Sequence, residues 1–253
     1  MKVTRVETLR CDAGWRMFSF LKVMPDEGLV GWSEYNESFG SAGLSQVIEA
    51  LSSTVIGKDP RQIELINAHL RTRTIQSRGG INRQAVAAIE NALLDIKGKG
   101  LGVPVYDLFG GPVRTRIPVY WSHCGSYRAR YPELLGVPRV QSYDELPRLG
   151  EGGGRSGVKA AQGKVARRGF KALKTNVALR DGKTLASYRP GFGYSQGYPE
   201  LNWDADIVKA AVDTASAFRA GAGPSMGIMM DLNFNYKTEG FGGIARARAP
   251  LGR

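Results

Sequence analysis

The stretch AAIENALLDIKGKGLGVPVYDLFGG at residues 87–111 marks the point at which the sequence changes from one structural pattern to another. It continues a helical pattern that begins at Asn82 and places one apolar stripe on that helix, formed by Val86, Ile89, Leu93 and Ile96. Gly98 and Gly100 predict the end of the helix after Lys97, because glycine commonly follows a helix C-terminus. The VPVYDLFGG that follows predicts a short helical turn closed by glycines.

The residues before this stretch predict a small α+β domain. Alternating side chains at 3–10 and 16–24, and a third run at 29–35, indicate an antiparallel meander of three strands. Helical patterns at 44–55 and 61–74 follow, and Asp59 and Pro60 are typical residues for the start of the second helix.

The residues after it predict a parallel α/β architecture. Short apolar runs at 117–123, 169–175 and 226–232 are typical of buried parallel strands, and a helix is predicted over 205–219 with Asn202 and Asp204 at its start. The change of pattern divides the chain into domains 1–115 and 116–253. The glycine-rich segment near 150–164 interrupts the expected crossover helix and is interpreted as an insertion, since each helical glycine costs roughly 1 kcal/mol relative to alanine.

The composition excludes some classes of function. The chain has 253 residues, 42% of them hydrophobic, and lacks the roughly eighteen consecutive apolar residues of a membrane-spanning helix, so no membrane association is expected. Its net charge is +12, but the basic stretch 148–171 is rich in glycine and poor in the aromatics that stack on bases, which argues against nucleic-acid binding. Cys11 and Cys124 are expected to be reduced, buried thiols of a cytoplasmic protein.

A family resemblance rests on four segments. Residues 87–111 resemble the end of the capping domain of the mandelate racemase and muconate lactonizing enzyme family, in the enolase superfamily, and GPVRTRIPVY at 111–120 resembles the segment that leads into its barrel. GFKALKTN at 169–176 is similar to the second barrel strand, and MMDLNFNY at 229–236 to the third. The resemblance implies an α+β capping domain followed by an incomplete α/β domain, a TIM-barrel-like (β/α)-barrel with about three strands.

Asp231 is the candidate metal ligand. It ends an apolar strand, and active sites of (β/α)-barrels form at the carboxyl ends of the strands. The resemblance implies Mg²⁺, which prefers oxygen ligands. The alternative is a helix N-cap on the following turn. Asn233 lies two residues further on and is expected to contact the metal-bound substrate.

Lys174 and Asn176 are the candidate catalytic residues on the preceding strand. Lys174 is similar to the first lysine of the family's Lys-x-Lys motif, and apolar neighbours together with a metal predict a lowered pKa for it, so that it acts as a base or as the electrostatic partner of a carboxylate. Asn176 replaces the second lysine of that motif and cannot take a proton. This Lys-x-Asn pattern resembles acid-sugar dehydratases, in which a His–Asp pair on later strands supplies the base.

Three further residues are candidates by position. His123 follows the first apolar run of the second domain, where it would contact substrate or transfer a proton. Trp15 and Arg16 lie where the family's capping domain closes over the barrel. There Trp15 would exclude water and Arg16 would bind an anionic substrate. The alternative for Trp15 is a hydrophobic contact between the domains.

The resemblance implies a Mg²⁺-dependent sugar-acid or hydroxy-acid dehydratase. A base removes the proton next to the substrate carboxylate, Mg²⁺ stabilises the enediolate, and water leaves from the β-carbon. Its partner would be a small-molecule carboxylate, and a homo-oligomer is possible. The sequence has no counterpart of the family's other acidic metal ligands. Racemisation, cycloisomerisation and a non-catalytic fragment therefore stay open as alternatives.

Overall fold

A computed structural model of the chain describes residues 1–14, 16–38, 41–122, 125–147, 168–189, 203–233 and 236–251. The segment 150–164, predicted to be an insertion, lies outside the described residues. The chain divides into two compact units, Met1–Thr115 and Arg116–Arg253. Each unit contains a buried core of its own.

The first unit contains the predicted antiparallel meander. Strand β1 is Val3–Asp12, β2 is Met17–Pro25 and β3 is Gly31–Tyr35, in the spatial order β1-β2-β3. One face of the sheet is buried, because side chains of a strand alternate between its two faces. On that face Leu21 of β2 is fully buried and lies between Thr8 and Ser33 of the neighbouring strands.

Three helices form a core with the sheet, two of them packed directly on it and one packed on a neighbouring helix. Helix α1 is Leu44–Ser52, α2 is Ile63–Arg73 and α3 is Gly80–Leu101, and a 3-10 turn follows at Val105–Phe109. The stripe predicted for α3 forms the centre of the core, with 0 to 3% of each side chain exposed: Val86, Ile89, Leu93 and Ile96. Helix α3 contacts β3, α1 and α2, and therefore organises the unit.

The ends of α2 and α3 differ from the predicted ones. Helix α3 continues through Gly98 and ends at Leu101, because Gly102, with φ of 69°, takes the left-handed position. Gly98 serves packing instead, since a Cβ there would lie 2.9 Å from the carbonyl oxygen of Val103. Helix α2 begins only at Ile63, with Gln62 as its N-cap.

Two predictions about single residues are also wrong: the cap role of Asp59 before α2 and the burial of Cys11 on β1. Asp59 does not cap α2, because its carboxylate binds the guanidinium of Arg61 at 2.6 Å. Cys11 is exposed on β1, which forms one edge of the sheet, and is therefore not a buried thiol. Cys124 lies outside the described residues.

The second unit contains a parallel pair of strands. Strand β4 is Ala172–Thr175 and β7 is Gly227–Met230, and helix α5 at Ala205–Ala222 lies between them in the chain. Asp204 caps α5 as predicted, since its carboxylate accepts a hydrogen bond of 2.8 Å from the N–H of Ile207. The apolar face predicted for α5 is buried at Ile207, Ala211, Ala215 and Phe218.

Of the strand predicted at 117–123, one residue pairs with a neighbouring strand within the described part, residues 117–122. Trp121 donates to Ala172 at 3.0 Å and accepts from Lys174 at 2.8 Å, which makes an isolated parallel bridge to β4. Ile117 and Val119 are 76% and 63% exposed. The apolar run is therefore not enclosed by the described residues on both faces, as a buried parallel strand is.

The other elements of this unit were not predicted. A short helix α4 at Ser126–Arg130 and a 3-10 turn at Tyr143–Glu145 precede β4. An antiparallel hairpin of β5, Ala178–Asp181, and β6, Thr184–Ser187, follows it. Helix α6, Thr238–Arg248, and a final 3-10 turn, Ala249–Leu251, come after β7. Among the described residues, no helix combines the length and apolar character that crossing a bilayer requires.

Candidate active site

The carboxyl ends of β4 and β7 bring the predicted lysine and aspartate together. In the parallel register, Thr175 pairs with Met230, and the N–H of Asp231 donates to the carbonyl of Thr175 at 2.8 Å. Both strands therefore end at the same edge of the sheet. In open α/β sheets and (β/α)-barrels, this edge is where ligands bind.

Lys174 and Asp231 form a partly buried ion pair. The ammonium Nζ lies 2.8 Å from Oδ2 of Asp231, and the two side chains are 20% and 29% exposed. Partial burial acts to lower the pKa of Lys174, but the hydrogen bond and charge of Asp231 outweigh it, so this pKa is raised above its ordinary value. The predicted lowering of the pKa is therefore wrong for this state, and Lys174 is an ammonium cation at neutral pH.

Asn176 links the carboxyl ends of β4 and β7 by a hydrogen bond. Its side chain is 3% exposed, and Nδ2 donates to the backbone carbonyl of Asp231 at 3.1 Å. A buried amide needs such a partner, since an unbonded buried polar group costs about 1–3 kcal/mol. This contact makes Asn176 a positioning residue for Asp231 in the structure.

Asn233 completes the turn around the aspartate. Its N–H donates to Oδ1 of Asp231 at 2.9 Å, and its φ of 54° lies in the left-handed region, which asparagine tolerates better than most residues. The side-chain Nδ2 of Asn233 is buried and has no hydrogen-bond partner among the described residues. Asp231 thus stabilises the turn after β7, whereas the N-cap of α6 is Lys237.

Tyr120 is a neighbour of this pair that the sequence did not single out. Nζ of Lys174 lies 5.6 Å from the centroid of the Tyr120 ring, within the range of a cation–π interaction. The sequence feature that could have indicated Tyr120 is its position directly before Trp121, the residue that pairs with β4.

The structure describes only one of the remaining candidates, Arg16. Trp15 and His123 lie outside the described residues. Arg16 belongs to the first unit, where its guanidinium binds Glu34 at 2.9 Å and stacks 3.9 Å above the ring of Phe18. Two surface grooves of the first unit are lined by other residues, and Lys174 and Asp231 line neither of them.

The described residues do not by themselves make a complete magnesium site. Mg²⁺ takes octahedral coordination by oxygen, usually with one or two carboxylates and several waters. Both oxygens of the Asp231 carboxylate already accept hydrogen bonds, one from Lys174 and one from Asn233. No group of three or more His, Cys, Asp or Glu side chains suited to a metal is found in the described part of the chain. Among the described residues, Asp231 therefore offers one carboxylate ligand.

Comparison with known proteins is consistent with this architecture. The family model of the mandelate racemase / muconate lactonizing enzyme N-terminal domain matches residues 8–110. A D-galactonate dehydratase from Variovorax paradoxus is 41% identical over 120 residues, which are 47% of this chain and 31% of that enzyme. One from Pectobacterium atrosepticum is 42% identical over the same length.

Solved structures extend the likeness to the second unit. A protein from Burkholderia xenovorans designated an L-alanine-DL-glutamate epimerase is 42% identical, with a TM-score of 0.85 over 98% of this chain and 60% of its own. The same protein has also been solved with magnesium and fumarate bound. A protein from Mesorhizobium loti designated a dehydratase is 28% identical, with a TM-score of 0.75 over 99% of this chain and 58% of its own.

The chain therefore shares the fold of the Burkholderia xenovorans and Mesorhizobium loti structures over nearly its whole length. The chain is similar to the mandelate racemase / muconate lactonizing enzyme family in the N-terminal domain, at residues 8–110. It spans 31% of the D-galactonate dehydratases and about 60% of the Burkholderia xenovorans structure.

Proposed function

We propose that this protein removes the proton α to the carboxylate of a sugar acid and eliminates water from the adjacent carbon. The observation that carries the proposal is the Lys174–Asp231 pair at the carboxyl ends of two parallel strands, with Asn176 where a second lysine would provide a base. The identity of 41% to a D-galactonate dehydratase supports the same class of reaction. In this proposal the segment at Trp121, β4 and β7 are the first three strands of the barrel.

Lys174 has the role of the cation that binds the substrate carboxylate. Its side chain is 20% exposed at a strand end, and its Nζ already binds one carboxylate at 2.8 Å and remains protonated there. A substrate carboxylate offers the same chemistry as Asp231. A charge-assisted hydrogen bond of this kind orients the α-carbon and stabilises the negative charge that develops when its proton leaves.

Asn176 and Asp231 have different roles in the proposal. Asn176 holds the end of β7 against β4, so that Asp231 keeps its position. Asp231 provides one carboxylate ligand for Mg²⁺, the proposed cofactor. The base that takes the α-proton comes from outside these three residues, since Asn176 has no titratable group.

A second candidate function is epimerisation at the same carbon. The protein from Burkholderia xenovorans, 42% identical over 98% of this chain, is designated an epimerase. Epimerisation starts with the same proton removal but returns a proton from the other face, which requires a base on each side. Asn176 occupies the place of one of those bases, and this favours dehydration.

Product analysis separates these functions. The purified chain would be incubated with Mg²⁺ and a panel of aldonic acids in ²H₂O, and ¹H NMR would follow the α-proton together with a colorimetric assay for 2-keto-3-deoxy acid. We expect keto-acid from at least one member of the panel. The variant Asp231→Asn should lower the rate by about 100-fold or more, because it removes the carboxylate proposed as a ligand for Mg²⁺.

The variant Asp213→Asn is the matched control. Asp213 forms an exposed ion pair with Lys209 on α5, and its change should leave the rate unaltered. Exchange of the α-proton with inversion but without keto-acid would favour epimerisation. Absence of both exchange and product across the panel, or a rate independent of Asp231, would exclude the proposed activity for this chain.

A further inference from the structure

Two chain connections lie at the same end of the meander in the first unit. One is the β1–β2 turn at residues 13–16, and the other is the β3–α1 connection at residues 36–43. The antiparallel register places Tyr35, the end of β3, opposite Ser19 near the start of β2, so β1 and β3 end on the same side. Strand β2 lies between them, and since neighbouring strands are about 4.8 Å apart, the ends of β1 and β3 are about 10 Å apart. Contact between the two connections therefore depends on side chains.

Glu37, in the β3–α1 connection, binds the end of β1. Nη2 of Arg10 donates to its carboxylate at 2.7 Å, and the Glu37 side chain is 11% exposed. The same carboxylate accepts from the N–H of Gly43 at 3.0 Å and from the hydroxyl of Ser45. Hydrogen bonds to an ionised group are roughly twice as strong as those between neutral groups. One carboxylate thus joins β1 to both ends of the β3–α1 connection.

Ser38, the next residue, binds the other side of the β1–β2 turn. Its hydroxyl donates to the backbone carbonyl of Met17, the first residue of β2, at 2.7 Å. The turn itself is closed by the N–H of Ala13, which donates to the carbonyl of Arg16 at 3.1 Å. The strands on both sides of the turn are therefore held by two consecutive residues of the β3–α1 connection.

We propose that Glu37 and Ser38 form a clamp that makes the β1–β2 turn and the β3–α1 connection open and close together. Surface segments open locally, without unfolding of the whole unit, where few buried contacts hold them. Here neither connection can leave its place without breaking the clamp, so opening of one releases the other. Such coupling is reciprocal, and a ligand that orders either connection also orders the other. All these contacts lie within the first unit, and the clamp is independent of the proposed reaction.

Hydrogen exchange at two backbone amides tests the clamp. The N–H of Ala13 reports on the β1–β2 turn and that of Gly43 on the β3–α1 connection, because each donates a hydrogen bond within its own segment. Arg10→Gln removes the ion pair from the β1 side, and Ser38→Ala removes the hydroxyl from the other segment. Each variant should speed exchange at both amides by about fivefold or more, since losing one such hydrogen bond changes a local equilibrium by about this factor. NMR of the full chain measures both rates.

Two comparisons separate the clamp from a general loss of stability. Arg5→Gln is the matched control, because Arg5 lies on the same strand and its ion pair with Glu7 stays within β1. It should leave both rates within about twofold of the wild type, as expected for an exposed ion pair. The N–H of Ile89, in the buried core on α3, reports unfolding of the whole unit, and the rates at Ala13 and Gly43 are compared with it.

The double variant Arg10→Gln/Ser38→Ala gives a third comparison. Because either change alone already opens the clamp, the double variant should exceed the single variants by less than the product of their two factors. Multiplication of the two factors would show that the contacts act independently and would contradict the clamp.

Two further results would overturn the proposal. In the first, either variant speeds exchange in its own segment alone, which means at Ala13 alone for Arg10→Gln or at Gly43 alone for Ser38→Ala. In the second, the rates at Ala13 and Gly43 change no more than in the control variant, or no more than the rate at Ile89. The first result would show two independent connections, and the second would show that Glu37 and Ser38 contribute no local constraint.

Discussion

Glu37 shows how one side chain stabilises the start of a helix. Helix α1 has no acidic residue in its first turn and no side-chain cap of its own. The carboxylate of Glu37, outside the helix, accepts from the N–H of Gly43 at 3.0 Å and from the hydroxyl of Ser45, and it binds Arg10 at 2.7 Å. A negative charge at this end of the helix is also favoured by the helix dipole.

The ionisation of Glu37 is coupled to folding. Burial acts to raise the pKa of Glu37, but the hydrogen bonds from Ser45 and Gly43 and the charge of Arg10 outweigh it, so the pKa is lowered. A carboxyl whose pKa is lower in the folded state stabilises the fold above its unfolded pKa, which is about 4.3 for glutamate. That contribution is lost as the pH falls through the lower folded value.

We therefore predict a pH-dependent effect of Glu37→Gln. At pH 7 the variant should lose about 1.5–3 kcal/mol of unfolding free energy, since it removes the charge from several hydrogen bonds. The difference from the wild type should shrink as the pH falls below about 4. Urea denaturation at a series of pH values measures it. Glu34→Gln is the control, because its ion pair with Arg16 is solvent-exposed and should contribute at most about 1 kcal/mol. A loss of stability that is the same at pH 3 and pH 7 would contradict the role of the charge.

The contact between β3 and α3 depends on a glycine. A Cβ added at Gly31 would lie 2.2 Å from the carbonyl oxygen of Ala92 and 2.6 Å from the side chain of Ile96. The same strand is joined to the helix by hydrogen bonds, since the N–H of Trp32 donates to Asp95 at 2.8 Å. Strand and helix can approach this closely only without a side chain at position 31.

At the scale of this pair of elements, we predict opposite effects for two Gly→Ala changes. Gly31→Ala should destabilise the protein by about 1–3 kcal/mol, the range for overpacking a close-packed core. Gly100→Ala should instead stabilise it by up to about 1 kcal/mol, because this helical position has only an ordinary contact of 3.6 Å with Leu29, and alanine favours the helix. Thermal and urea unfolding of both variants measure the effects. Equal stability of the two variants would contradict the packing argument.

The molecule contains separate buried cores in its two units. The core of Met1–Thr115 centres on α3, and that of Arg116–Arg253 includes Phe218 of α5. Ile89 and Phe218 are 1% and 0% exposed, so truncation of either leaves a cavity inside its own unit. Truncating such side chains commonly costs about 2–5 kcal/mol.

Hydrogen exchange can show which amides depend on each core. Ile89→Ala should speed the exchange of amides in β2, β3 and α3, and Phe218→Ala should do so in β4 and α5, because protected amides exchange through opening of the unit that contains them. Mass spectrometry of the two variants under native conditions measures both patterns. The variants serve as controls for each other. Faster exchange of the same amides in both variants would show that the chain unfolds as one cooperative unit.

Much of the local structure was predictable because it depends on neighbours within one or two turns. The stripe on α3, the alternation of the meander and the cap of α5 by Asp204 are of this kind. The hairpin of β5 and β6 was missed, since its short strands are distinguished mainly by pairing with each other. The run at 117–123 was assigned too long a strand, because its apolar residues do not reveal that, of the described residues 117–122, Trp121 is the one that pairs with β4.

In the candidate site, too, some features follow from the sequence and others depend on tertiary contacts. The sequence determined that Lys174, Asn176 and Asp231 lie near the ends of two apolar segments, and the family resemblance made these residues the candidates. Only the tertiary structure decided what these residues do to one another. Lys174 and Asp231 are 57 positions apart in the chain, yet their side chains meet at 2.8 Å, and this contact raises the pKa that sequence reasoning expected to be lowered. The physical reason is that a side chain's charge state depends on the atoms packed around it, and parallel strand pairing brings those atoms from distant parts of the chain.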